Sequence, residues 1–344
     1  MVCWWCLNLS TKRILILLVQ VTVSFVVLFL LFLGVDFEQT IEVLASINIP
    51  LFISTIIFFI LSSLTVALAL HTTLRSSEVS IPLRSSVSAS YGGQLLSDIT
   101  PAKTGYFATP VLLRELSQVS IEKGLMSVMA MGAVNFFVKA IFSGIALLYF
   151  LNRIPMDPSL ANGLLFGIGL LLIMGLGLTI LVWTNYMPNL VKKLVGFPLF
   201  GRLIAKFEPI LEIFDKDQSL LKKSIKTTTI LIILSVLIFT FGIWFLSRAV
   251  DMPQPSFIDL LFMGPLTAVF MYVPVTFAGL GLQEAAYVFL LTSIGAPQPN
   301  ALAFALLVRI LFITTDLIGL PAIIKTGTGL VNVFDLNSEK EIAS

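Results

Sequence analysis

The sequence predicts an all-α integral membrane protein, a polytopic bundle of about six full spans plus two broken or re-entrant helical hairpins. Three observations carry this expectation. The 344 residues are 57% hydrophobic and only 12% charged, about half the roughly 25% charge of a soluble domain, and mean hydropathy is +1.01. The apolar runs are continuous and reach the ~20 residues that cross a bilayer, whereas a membrane β-barrel would alternate over ~10-residue segments. Two regions between the runs, residues 80–113 and 257–297, carry prolines and glycines that interrupt a helix.

In chain order, the first run is residues 14–35. It is longer than a signal-peptide apolar region, no Ala-x-Ala site follows, and it reads as a retained helix. Residues 51–70, 125–151, 160–186, 227–250 and 301–324 are the other five. The whole chain, 1–344, reads as a single membrane domain, because the longest simple connection, 187–226, is too short for a separate soluble enzyme domain. Residues 335–344 form a polar tail. Cys3 and Cys6 in MVCWWC have no second pair to complete a zinc site, and Trp4 and Trp5 read as an interfacial anchor. A single histidine, His71, leaves no metal-ligand cluster. Neither a metal nor a cofactor is expected.

Lysine and arginine in the connections set the orientation. Lys12 and Arg13 precede the first run. Residues 36–50 hold Asp36, Glu38 and Glu42 with no basic residue, while 71–124 hold Arg75, Arg84, Lys103, Arg114 and Lys123. The turn 152–159 has one charge of each sign, and 187–226 carries eight basic residues, among them Lys192, Lys193, Arg202 and Lys206. The pattern puts both termini in the cytoplasm of a cell whose plasma membrane the chain crosses. Apolar residues of 187–226 recur at helical spacing between lysines. This fits an interfacial helix on an anionic leaflet, and equally an ordinary positive-inside loop.

Residues TPAKTGYFATPVLL and VPVTFAGLGLQEAA each place a glycine four or five positions after a proline, and three spans separate them. Pro101 and Pro274 stand about half a chain apart. Two readings remain open: half-repeats 1–186 and 187–344 of inverted topology, whose broken helices meet near the midplane, or two unrelated breaks.

Charge at bilayer depth is costly, at least ~2.5–3.5 kcal/mol on insertion scales, so intramembrane ionisable residues mark candidate sites. Pro274, Gly279 and Gly281 break the helix ahead of Glu284, and broken backbone at that depth lines a cavity or is buried in protein. Arg309 sits mid-run. Asp316 shares its helix face but lies ~10.5 Å further along the axis, too far for a direct pair, so Glu284 is the expected partner of Arg309. That pair either fixes the packing of the broken helix, or Arg309 turns its planar fork to a lipid phosphate; both can hold. Lys139, one turn from Asn135 with Ser143 beyond it, is expected to face the bundle interior. Of Asp98, Lys103, Arg114 and Glu115 around the first break, two read as plain surface charges. Lys103, between Pro101 and Gly105, falls where a hairpin tip would be. Gly163 and Gly167 in the fourth run read as a close-packing pair. No nucleophile motif, phosphate loop or catalytic cluster is visible, so no enzyme activity and no ATPase are expected.

The stretch PVTFAGLGLQEAAYVFLLTSIGAPQPNALAFALLVRILFITTDLIGL resembles the C-terminal signature of the lysylphosphatidylglycerol synthase transmembrane-region family. That family includes the flippase half of MprF proteins, the membrane part of some archaeal glycosyltransferases, and stand-alone membrane proteins. The matching positions are Pro274, Gly279 with Gly281, Glu284, Gly295 and Arg309. The family's first signature is met by Pro101, Lys103 and Gly105, but Tyr106 stands where a Glu is expected and Thr109 where an Arg is. Val134 and Asn135 stand about where a Glu-Arg pair often falls. The resemblance implies about eight membrane helices or half-helices and a role in moving or handling lipids. The expected function is therefore flippase-like translocation of a lipid or lipid-linked anionic molecule, with a non-catalytic scaffold for a glycosyltransferase or lipid-modifying enzyme as the alternative. The expected partners are the bilayer, a phospholipid or lipid-linked substrate, and either a second copy of the chain or a glycosyltransferase; nucleic acid is not among them.

Overall fold

The computed structural model describes residues 9–184, 220–273 and 275–334. The Cys3/Cys6 pair with its tryptophans, most of the basic connection 187–226, Pro274 and the tail 335–344 lie outside the described residues. Those described contain no strand. They form α1 (Leu9–Leu33), α2 (Phe37–Ala45), α3 (Ile49–Ser76), α4 (Leu83–Asp98), α5 (Thr109–Ser117), α6 (Ile121–Leu151), α7 (Pro158–Trp183), α8 (Ile225–Ala249), α9 (Phe257–Ala268), α10 (Leu282–Ser293), α11 (Gln298–Asp316) and α12 (Leu320–Phe334). Among them α3, α6, α7, α8 and the run Gln298–Gly327 are long and apolar enough to cross a membrane, and the bent pair α1–α2 makes a sixth candidate. The chain is an all-α polytopic bundle.

Helix starts follow the polar residues that can satisfy free backbone N–H groups. Asn48 Oδ1 accepts from the Leu51 N–H at 3.2 Å ahead of α3, and Asp157 Oδ1 from Ser159 at 2.7 Å ahead of α7. Ser256 and Asp259 close a reciprocal capping box at the start of α9. Asp259 also accepts from the Tyr149 hydroxyl at 2.8 Å and pairs with Arg153 at 2.8 Å, fastening the end of α6 to the start of α9.

Two breaks were not foreseen in the sequence. Asp36 caps a new helix, α2, inside what read as a plain connection, accepting from the Gln39 N–H at 3.1 Å. The chain turns 89° between Leu18–Leu33 and Phe37–Ala45. The last run is divided too, by a 3-10 turn at Leu317–Gly319 ahead of Pro321. There a Cβ on Gly319 would lie 2.1 Å from the Gly92 nitrogen, so the α4 backbone passes too close for any side chain.

The bundle is built on α3 and α8, which pack along their length. Ser62 Oγ donates to the Ser235 carbonyl at 3.0 Å. Phe58 stacks on Phe241 and Phe245, and Phe59 meets Phe239 and Phe312. In α7, Gly167 makes the close approach, where a Cβ would come within 2.1 Å of Val269 Cγ1, while Gly163 faces open space. Only one member of the expected glycine pair packs closely.

Candidate functional site

Two helical hairpins meet inside the bundle. In the first, α4 packs against α5 and their junction is a 3-10 stretch, Pro101–Ala108. Thr100 is extended (φ −132, ψ 145), as a residue before proline must be, and Pro101 starts the turn where a missing N–H costs least. Thr100 Oγ1 donates to the Leu96 carbonyl at 2.9 Å and accepts from the Gly105 N–H at 2.7 Å. A Cβ on Gly105 would lie 2.2 Å from Leu96 O, which explains the glycine. Lys103 is left-handed (φ 60), and its ammonium reaches back to Asp98 Oδ1.

In the second hairpin, α9 packs against α10. Between them Ala278 is left-handed (φ 50), with Gly279 (φ 76) and Gly281 (φ 86) following. Glycine adopts this region without strain, but alanine does not. Arg309 of α11 holds the turn. Its Nε donates to Glu284 Oε1 at 2.6 Å, its Nη1 to the Ala278 carbonyl at 3.1 Å, and Glu284 Oε2 accepts from the Gly281 N–H at 2.7 Å. The Phe277 N–H donates to Ser24 Oγ of α1 at 2.8 Å. The two 3-10 segments, Pro101–Ala108 and Phe277–Gly279, pack against each other.

Beside this junction lies a cavity of about 280 Å³. Its lining includes Lys103, Asn135, Lys139, Gln94, Tyr272 and Gln283, with Phe136, Phe239 and Phe312 among its apolar walls. Lys139 Nζ donates to the Tyr272 hydroxyl at 2.7 Å, and Phe136 stands edge-on to the Tyr272 ring at 5.3 Å. Gln94 Nε2 is buried with no acceptor in the protein. Ser143 does not reach the cavity; its hydroxyl donates to the Pro265 carbonyl at 2.9 Å.

The structure separates the residues singled out in the sequence. Glu284 and Arg309 form the expected pair, but behind the cavity wall, with Nε and Nη1 of the guanidinium engaged. Lys103, Asn135 and Lys139 line the cavity. Asp316 does not join Arg309. It accepts from Ser63 Oγ at 3.4 Å and faces Asp98 and Lys103. Arg114 and Glu115 are exposed, as surface charges should be, but Asp98 is buried. Tyr272 and Gln94 were missed, since a lone phenol or amide in an apolar stretch carries no spacing signal.

The family model described as the lysylphosphatidylglycerol synthase TM region matches residues 17–318, most of the chain. The protein belongs to this family. Membership makes it an integral membrane protein related to lipid handling, and the match spans both hairpins and the cavity between them. No curated protein matches the chain.

Proposed function

We propose that this family member moves an anionic lipid or lipid-linked molecule between leaflets, as a flippase-like translocator that performs no covalent chemistry and uses no ATP. One observation carries the reading. Among the described residues of the site, Lys103 and Arg309 each have a carboxylate partner, while Lys139 has only the Tyr272 hydroxyl. An ammonium held on a cavity wall at bilayer depth with no carboxylate in contact favours an anionic guest. Aromatic walls suit the apolar part of the same guest. The anion thus falls to Lys139 rather than to Arg309, which does not line the cavity and whose Nε and Nη1 hold the second hairpin.

An inverted repeat fits this function, and a contact supports it. Ser62 and Ser235, bonded across the α3–α8 pair, are 173 residues apart. Pro101 and Pro274 differ by the same 274 − 101 = 173. A residue touching its own equivalent marks a pseudo-two-fold axis. About it, α3, the first hairpin and α6 correspond to α8, the second hairpin and α11, so the hairpins enter from opposite faces of the plasma membrane. The basic residues of the connections support an orientation with both termini in the cytoplasm.

Purified protein in vesicles tests the reading, by following head-group accessibility of anionic phospholipids and polyprenyl-linked sugars with time. Movement above that of protein-free vesicles, lost in Lys139→Gln, is the expected result. A wild type that never exceeds empty vesicles would leave the glycosyltransferase-scaffold reading in its place.

A further inference from the structure

The carboxyl groups of Asp98, at the end of α4, and Asp316, at the end of α11, are close enough to interact electrostatically, where α4 packs on α11. They are 9% and 3% exposed. Lys103 engages one oxygen of Asp98, and Ser63 donates to one oxygen of Asp316. No donor in the protein reaches the buried Asp98 Oδ2. Two buried carboxyls thus share one ammonium, and one of their oxygens has no donor. Like charges this close in a dry site cannot both stay ionised without compensation, and a single proton between them supplies both the charge and the missing donor.

The compensating charge is within reach. Lys103 and Lys139 line the cavity, Tyr272 interacts electrostatically with both and with Asp98, and Asp316 joins them through Asp98 and Lys103. Two aspartates and two lysines sum to zero. An anion on Lys139 removes that balance and leaves one excess negative charge, at a depth where such an excess is costly. The other ionisable neighbours of Asp316 are the phenols of Tyr91 and Tyr106. Glu284 and Arg309 neutralise each other, and α2 and α8 contribute no ionisable neighbour among the described residues.

We propose that Asp98 and Asp316 together bind one exchangeable proton, and that an anionic head group at Lys139 draws it in, so that proton and phosphate-bearing lipid enter the cavity together. The proton comes from water and returns there on release. The coupling rests on the anionic-lipid reading of the cavity; the proton site does not.

The experiment has two arms. In the first, phosphatidylglycerol is added to the purified full chain in weakly buffered detergent with a pH indicator. Wild type should take up as much as one proton per bound lipid, and its affinity should fall up to tenfold per pH unit on the alkaline side, because the linkage is reciprocal. Asp316→Asn should bind the lipid with no uptake and no pH dependence. In the second arm, infrared spectra of the lipid-free protein should show a carboxylic-acid band that titrates in wild type and in Lys139→Gln and is absent from Asp316→Asn. Ser63→Ala keeps both carboxyls and serves if Asp316→Asn fails to fold. It should keep the band but move its titration to higher pH, since the ionised form loses a donor. Lipid binding without proton uptake overturns the coupling alone. Uptake that follows sodium at fixed pH, or no titrating carboxylic-acid band, overturns the proton site. If phosphatidylglycerol fails to bind, the coupling falls with the lipid reading, and the infrared arm still decides the proton site.

Discussion

Arg309 Nε donates to Glu284 Oε1 at 2.6 Å, across the gap between α11 and the start of α10. Glu284 is 2% exposed, and its other oxygen holds the Gly281 N–H. The pair thus clamps a short segment with three positive-φ residues, Ala278, Gly279 and Gly281, of which Ala278 is strained. Left-handed alanine costs of order 1 kcal/mol or more, so the turn persists because both ends are tied.

Removing one partner should therefore be worse than removing both. Arg309→Ala leaves a buried carboxylate and should destabilise the protein by about 3–5 kcal/mol, whereas the double substitution Arg309→Met with Glu284→Leu should recover part of that loss. Arg309→Lys keeps the charge but cannot reach Glu284 and Ala278 with one rigid fork, and should fall between. Thermal unfolding in detergent measures all three. A double variant that loses the sum of the two single losses would show that the pair does not act as a unit.

Lys139 should behave in the opposite way. Its hydrogen bond is to a phenol, so Lys139→Gln should leave unfolding nearly unchanged. Transport should fall ~10–100-fold, the worth of one charged hydrogen bond to substrate at ~1.5–3 kcal/mol. Lys139→Arg should keep most of it. The measurement is head-group movement beside unfolding of the same preparations; a loss that tracks unfolding would make Lys139 a packing residue.

The spans and the Arg309–Glu284 pair were legible in the sequence because both depend on local cues: long apolar runs, and charge where charge is costly. The two breaks around α2 and α12 were not. Asp36 reads as an ordinary loop residue until its cap is seen, and Gly319 is required only because Gly92, far away in the chain, passes beside it. The Asp98–Asp316 pair was hidden for the same reason. Each aspartate sits at the end of its own helix, and only the docking of α4 on α11 buries them together. Lys139 was legible as interior, yet its lack of a carboxylate is a property of every neighbouring helix.

Glycine substitutions separate the two kinds of glycine. Gly319→Ala must displace the backbone of α4 and should cost about 1–3 kcal/mol. Gly163→Ala meets nothing within 4 Å and should be neutral or stabilise α7 by ~0.5–1 kcal/mol. Unfolding temperatures in detergent check both, and equal effects would contradict the close approach of α4 to the 3-10 turn at Gly319.

Topology can be tested at two exposed positions on opposite sides of the hairpin scheme. Glu42 lies on α2 and Glu115 on α5, and both are exposed. Acidic residues surround Glu42 with no nearby base, while Arg75, Arg84 and Lys123 share the connection that holds Glu115. Basic residues are retained on the cytoplasmic side. In a background with Cys3 and Cys6 replaced by serine, Glu42→Cys should react with an impermeant thiol reagent in intact cells, and Glu115→Cys only after the membrane is opened. The reverse pattern would invert the protein in its membrane and move the first hairpin to the outer face. Labelling of both from outside would mean that an even number of crossings separates Glu42 from Glu115, and the re-entrant reading of α4 and α5 would fall.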